Sequence, residues 1–524
     1  MGPIRTLSLV FLCGFLLACE PAGEQPRTLR IGNAAEPATL DPHTAHGVPA
    51  RNIQRDLFEG LLRETADGGY EPGVAERWTV SPNGLKYTFH LRDDARWSNG
   101  DPVTAGDFVF SFRRAASPGT GGVVAETLFP ISNARAVLRG EQPPEALGVS
   151  ASGPRELVIE LHRPAGYFLH LLTHPSTFPV HAESLREHSD WTRPGKLVSN
   201  GAYQLVDWRV QSAITLEKNP HYWDVDNVAI ERVQFLPVED LNAELSRFAA
   251  GELDITYGVP IGRLNRLRQE YADELRVAPW FGTYYLGINT TRPPLDDVRL
   301  RKALTLAIDR DVLARDVVGG GETAAYHWVP PLPDYRSPAP EWATWSQARR
   351  ETEARKLVAE LDSAVPARIQ LLYNTRDRDQ RVVTAVAAMW RRVLGIETEL
   401  RNEEWKVYLQ SRRQLDRTET FRSGWIGDYP DPYAFAELLH STHGMNEFGW
   451  NNPRYDALLT EAASAGSESR RHELLRQAEE ILLAELPLIP LFHYSKARLV
   501  SDEVGGYASN PLDHHYSRNY FWKE

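Results

Sequence analysis

Two periods of hydrophobic patterning run through this chain, a period of two in its first part and a helical one in its last. In KYTFHLR, Tyr87, Phe89 and Leu91 alternate with Thr88 and His90, which predicts a strand with one buried face. ELVIELH (Leu157, Ile159, Leu161) and AITLEK (Ile214, Leu216) repeat the pattern, and the turn signals SPNG (81–84) and SNGDP (98–102) punctuate it. From about residue 295 the spacing changes. In DDVRLRKALTLAIDRDVLARDVV, acids suited to a helix N-terminus precede Leu300, Leu304, Ala307 and Ile308 on one helical face. IQLLYN (369–374), VVTAVAAMWRRVLG (382–395) and IETELR (396–401) read strand, helix, strand, a β-α-β unit with parallel strands and a right-handed crossover. SRRHELLRQAEEILLAELP (469–487) is a further amphipathic helix, and the Pro-rich WVPPLPDYRSPAP (328–340) is expected to be an ordered surface crossing. No internal repeat or low-complexity tract interrupts the pattern.

The N-terminus stands apart. Arg5 precedes an apolar run, Thr6 to Ala18, too short to span a bilayer as a mature helix. The run ends in Leu16-Leu17-Ala18-Cys19, which resembles a bacterial lipobox, so 1–18 reads as a signal peptide and Cys19 as a lipidated N-terminus. Residues 19–28 then read as a polar tether. The only other cysteine, Cys13, falls inside the signal, so the mature chain has no thiol for a disulfide, a metal site or a nucleophile. About 500 mature residues exceed one core and predict two or three domains. With 58 basic and 70 acidic residues the net charge is −12, which excludes nucleic acid as the main partner and leaves the lipid as the sole membrane contact.

Catalytic signatures are missing. HExxH and G-x-S-x-G do not occur, and the Gly195-Lys196 pair is followed by Leu197 rather than the Ser or Thr of a P-loop. GTGG (119–122) and GGG (319–321) read as loops. His170 with His174, and His440 with His443, have spacings that suit a shared metal, but sequence positions no third ligand. Asp93-Asp94 and Asp296-Asp297 read as caps or solvated loops rather than catalytic acids. The expectation is a protein with neither cofactor nor catalysis.

One stretch asks for more. FRSGWIGDYPDPYAF (421–435) places Arg422 and Asp428 six positions apart in an otherwise apolar run rich in Gly, Pro and aromatics. Burying either charge alone is costly, so something in the protein or brought to it must answer both. Open α/β sheets bind ligands beyond the C-terminal ends of their strands; Asn374 closes one predicted strand, and Asp428 follows another.

GVPARNIQRDLFEGLL (47–62), PGVAERWTVSPNGLKYTFHLRDDARWSNGDPVTAGDFVFS (72–111), NGAYQLVDW (200–208) and RSGWIGDY occur here in the order found in the oligopeptide-binding proteins. The chain resembles this family, the extracytoplasmic solute-binding proteins of peptide ABC transporters, from about residue 29 onward. It is also similar to the murein-tripeptide-binding branch. The resemblance implies a two-lobed α/β clamp of the periplasmic-binding-protein type (class II, three-domain). One lobe would comprise 29–58, 184–282 and 497–524, a smaller domain 59–183, and the second lobe 283–496. The lobes would close by hinge motion over an extended peptide.

The resemblance also implies roles. Asp428 would take the peptide α-ammonium in a charge-assisted contact. Arg422, with either Arg412 or Arg413, would take the carboxylate. Backbone groups near Val48 and from Gly424 through Trp425 to Ile426 would pair with the ligand main chain, with Trp405, Asn374 and Tyr285 nearby. Three departures bear on cargo: His46 stands where the oligopeptide binders have an acid, Asp379 where they have a cleft histidine, and Val318 where they have a cleft lysine. Asp379 suggests a ligand with an extra amine, such as the diaminopimelate of a murein peptide. The expected protein is a monomeric, lipid-anchored periplasmic receptor that passes short peptides to the permease and ATPase of an importer. A murein peptide or other solute (a metallophore or haem) is the alternative cargo, and a surface hydrolase or chaperone the alternative class.

Overall fold

The computed structural model describes residues 26–120, 125–260, 262–361 and 365–524. Cys13, Cys19 and the signal segment lie outside them, as does all but the last part of the tether. Three larger sheets organise the described residues, beside two two-stranded ones. The first has the order Thr28–Gly32, Arg232–Leu236, Ala213–Lys218, Tyr203–Arg209. Its first pair is parallel and the others antiparallel. Leu29, Leu216, Val233 and Tyr203 fill its core together with Ile53 and Leu57 of the helix Val48–Leu57.

The second sheet, from Ala75–Val80, Lys86–Leu91, Glu156–Glu160 and Val149–Gly153, is wholly antiparallel. Phe89, Leu157 and Ile159 are buried under Phe108 and Phe112 of the helix Ala105–Ala116. Thr104 and Asp107 close that helix with a reciprocal capping box.

The third sheet has six strands in the order Thr323–Ala324, Leu488–Leu499, Leu275–Ile288, Thr420–Ile426, Arg368–Asn374, Glu397–Glu403. The last two are parallel along seven residue pairs, with the helix Asp377–Leu394 between them in sequence. The expected β-α-β unit is therefore present, its helix starting a turn earlier than the apolar spacing marks. Arg376 to Arg381 are mostly charged, and a pattern of apolar residues cannot locate the start of a helix whose first turn buries an acid, Asp379, in place of an apolar side chain.

Two long strands, Leu275–Ile288 and Leu488–Leu499, tie the first and third sheets together. They pair from Leu275 to Pro279 and again from Thr283 to Gly287, with a register shift between. Beyond Leu499, Val500 bridges Ile255, which bridges Ile31 of the first sheet. The Pro-rich passage crosses the surface as expected, most of 331–340 being exposed or partly exposed, but it is pinned at buried points. Trp328, Val329 and Tyr335 are buried because a buried carboxylate, Glu479, accepts hydrogen bonds from the Trp328 and Val329 amides and the Tyr335 hydroxyl.

Candidate functional site

The strand Thr420–Ile426 pairs along its whole length with Gly282–Ile288. On its other edge it meets Arg368–Asn374 only at Leu371–Thr420 and Leu372–Phe421. The two strands then part, and the Tyr408 hydroxyl takes the Arg422 carbonyl. From Ser423 to Ile426 that edge has no strand partner among the described residues. An extended chain laid there would complete the ladder. Gly424, Trp425 and Ile426 all lie on this edge. Ile426 is exposed, and the Trp425 indole donates to the Ala434 carbonyl at 2.8 Å.

Asp428 follows directly. The Gly427 amide bonds the Phe281 carbonyl at 2.9 Å, which fixes the chain, and the Asp428 side chain is exposed. Arg51 of the helix Val48–Leu57 feels it from the other sheet: burial lowers the Arg51 pKa, Arg55 adds to that, and Asp428 opposes it. Val48 opens the same helix and is exposed. Beneath Asp428, the buried Glu437 carboxyl is pushed up to about 7 by burial, with Asp428 and Asp431 adding to the shift. The Tyr429 hydroxyl donates to it at 3.1 Å.

The arginines are placed differently from one another. Arg422 is buried among Tyr284, Asp379 and the helix Asp377–Leu394, with its Nη2 3.0 Å from Asp379 Oδ2 and its Nε donating to the Tyr284 hydroxyl at 3.3 Å. Burial disfavours its charge, yet Tyr284 and Asp379 hold its pKa above the ordinary arginine value. Arg412 is buried on the opposite face of the sheet, since its Nη1 donates to Ser423 at 3.1 Å and successive strand residues face opposite ways. Its Nε lies 2.7 Å from Glu447, which also accepts from the exposed Arg413 at 3.0 Å. Both buried guanidiniums thus have carboxylate partners within the chain. Asp379, read in the sequence as a group for a ligand amine, is fully buried against Arg422.

Tyr285 is buried edge-on to Trp328, 4.9 Å between ring centroids. Trp405 is half exposed, with its ring stacked on Tyr408. Asn374 is buried at the end of its strand, and its Oδ1 has no hydrogen-bond partner among the described residues. Sequence reasoning missed Glu447, Tyr408, Tyr284 and Arg51. A buried arginine demands a carboxylate, but which one only the fold decides. Among the described residues no group of three or more His, Asp or Glu is placed to hold a metal. No helix of the described residues is long and apolar enough to cross a membrane.

Fold and site together define a mixed α/β protein of the two-lobed type with an open strand edge in its six-stranded sheet. Comparison with known proteins gives the family. The model of the bacterial extracellular solute-binding proteins, family 5 Middle, matches residues 69–447. Over 512 residues the chain is 40% identical to the periplasmic oligopeptide-binding protein OppA of Salmonella typhimurium, covering 96% of this chain and 94% of that one. The periplasmic murein tripeptide binding protein MppA, in its unliganded open form, superposes with a TM-score of 0.89 at 36% identity, covering 95% and 98%. Haemophilus influenzae OppA in complex with the peptide RPPGFSPFR superposes at 0.75 and 35% identity, covering 96% and 100%. The chain belongs to family 5 of the bacterial extracellular solute-binding proteins, whose members are substrate receptors rather than enzymes.

Proposed function

We propose that this protein captures short peptides in the periplasm and delivers them to the permease of an ABC importer, held at the membrane by a lipid on Cys19. The observation that carries the reading is the open strand edge from Ser423 to Ile426 ending at Asp428. A peptide extended along it pairs its main chain with the strand whatever its side chains are, and sets its ammonium at an exposed carboxylate. Closing the lobes strips water from that ammonium, so Asp428 supplies the opposing charge.

The lobes follow the sheets: 29–58, 184–282 and 497–524 as one, 59–183 as the smaller domain, and 283–496 as the other. The register shift between Pro279 and Thr283 is the natural hinge. Support comes from relatives named for oligopeptide and murein tripeptide binding. Of these cargoes we favour general peptides, because Asp379 is committed to Arg422 and offers no carboxylate to a ligand amine.

Mass spectrometry of ligands released by denaturing the gently purified protein tests the reading. A mixture of short peptides with free amino termini is expected. A single muropeptide species would assign the murein cargo instead, and a metallophore or haem would overturn the peptide reading.

A further inference from the structure

His327 and His493 belong neither to the open strand edge nor to the charged groups around it. The short strand Thr323–Ala324 pairs with Phe492 and His493 of the long strand Leu488–Leu499. Three residues later the chain lays the His327 ring beside His493, with 4.7 Å between ring centroids and 33° between planes. His493 is buried and His327 partly exposed. Burial lowers both pKa values, and among the described residues no acid opposes the shift. Both rings are therefore neutral imidazoles at neutral pH.

Their hydrogen bonds decide which nitrogen carries the proton. A carbonyl only accepts, so His327 Nδ1 donates to the Val329 carbonyl at 2.6 Å. The one Thr283 hydroxyl proton goes to the Trp328 carbonyl at 2.9 Å. His493 Nδ1 must then donate to the Thr283 oxygen, also at 2.9 Å. Each ring is left with its lone pair on Nε2. Both Nδ1 atoms face the backbone of Trp328 and Val329, so both Nε2 atoms turn away from it to the same side. Glu479 accepts from the amides of those two residues and so fixes the carbonyls that orient the rings. His493 Nε2 is a buried acceptor with no hydrogen-bond partner among the described residues.

Neutral imidazoles held by an Nδ1–H bond and presenting Nε2 are arranged as metal ligands are. The separation fits as well. A divalent ion about 2.0–2.1 Å from Nε2 lies about 3.2 Å from the ring centre. Two such rings at an angle of about 90–110° about the ion stand about 4.5–5.2 Å apart, and the observed 4.7 Å falls inside that interval. Rings opposite one another would stand about 6.4 Å apart. The pair is therefore cis and leaves further coordination positions to water. A donor set of imidazoles without carboxylates suits late transition metals rather than Mg(II) or Ca(II).

We infer that His327 and His493 together hold a late first-row transition-metal ion through their Nε2 atoms, with the partly exposed His327 side as the way in. The two residues are 166 positions apart in the chain, so local spacing, which singles out His170 with His174 and His440 with His443, does not reveal them. The inference does not depend on the peptide reading.

Calorimetric titration of the untagged protein with Cu(II), Ni(II) and Zn(II), joined to electron paramagnetic resonance of the Cu(II) form, tests this. An ion should bind with a Kd below about 100 µM, Cu(II) most tightly, and the Cu(II) spectrum should show two ring nitrogens. His327→Ala and His493→Gln should each weaken Cu(II) binding by about tenfold or more, whereas His440→Ala combined with His443→Ala should leave it unchanged. If His493→Gln fails to fold, His327→Ala decides alone, because its ring is partly exposed. Three results overturn the inference: no ion bound below about 100 µM, an affinity that survives His327→Ala, or a Cu(II) spectrum without two ring nitrogens.

Discussion

Asp428 and Arg422 look alike in the sequence, two charges in an apolar run, and the fold treats them oppositely. Asp428 follows the end of its strand and is exposed at the surface. Arg422 is enclosed, and its charge is tolerable only because Asp379 and the Tyr284 hydroxyl answer it. Removing one member of a buried pair leaves the other uncompensated, at a cost of about 3–5 kcal/mol. Asp379→Ala should therefore lower unfolding stability by about that amount, read from urea midpoints. A loss below about 1 kcal/mol, the range of a surface pair, would mean that Arg422 finds water instead. That Arg422 needs a partner was legible in the sequence. The partner was not, because Asp379 becomes adjacent only when the β-α-β unit packs its helix against the sheet.

Among the elements, regular patterning was read well and irregular segments poorly. The amphipathic run at 469–487 became the helix Glu468–Glu485, and the alternating runs became strands. Hydrophobic period says little about a polar residue on the buried face of a helix, and Glu479 is such a residue. Burial pushes its carboxyl up to about 7, against the pull of the Val329, Tyr335 and Trp328 donors. A carboxyl whose folded pKa lies above its unfolded value of 4.5 stabilises the fold fully below that value, and loses the contribution as pH rises through about 7. Glu479→Gln keeps an acceptor for the two amides and does not titrate. Between about pH 5 and 8 the wild type should lose roughly 1–3 kcal/mol relative to this variant, measured by urea unfolding at both pH values. Glu437 and Glu244, also pushed up to about 7, titrate in both proteins and cancel in the difference. Parallel pH profiles would show that Glu479 stays charged in the fold.

At the scale of the whole molecule, the strands Leu275–Ile288 and Leu488–Leu499 of the six-stranded sheet pair with a register shift on the way and reach the first sheet through the bridges of Val500 and Ile255. Such a junction bends without breaking the core of either sheet. The arrangement superposes better on the unliganded open relative than on the peptide complex, with TM-scores of 0.89 and 0.75. The α/β class and the position of the candidate site were legible in the sequence, largely through the ordered motifs and the acid after a buried strand. The parting of Thr420–Ile426 from its neighbour was not, since strand pairing is a property of the sheet rather than of any one segment. Binding on this account anchors the amino end of the peptide through one ammonium–carboxylate pair. Calorimetry of one short peptide, free and N-acetylated, on the wild type and on Asp428→Asn tests that claim most directly. The substitution and the acetylation should each weaken binding by about 2–5 kcal/mol, and together by little more than either alone. Unchanged affinity for the free peptide on Asp428→Asn would contradict it.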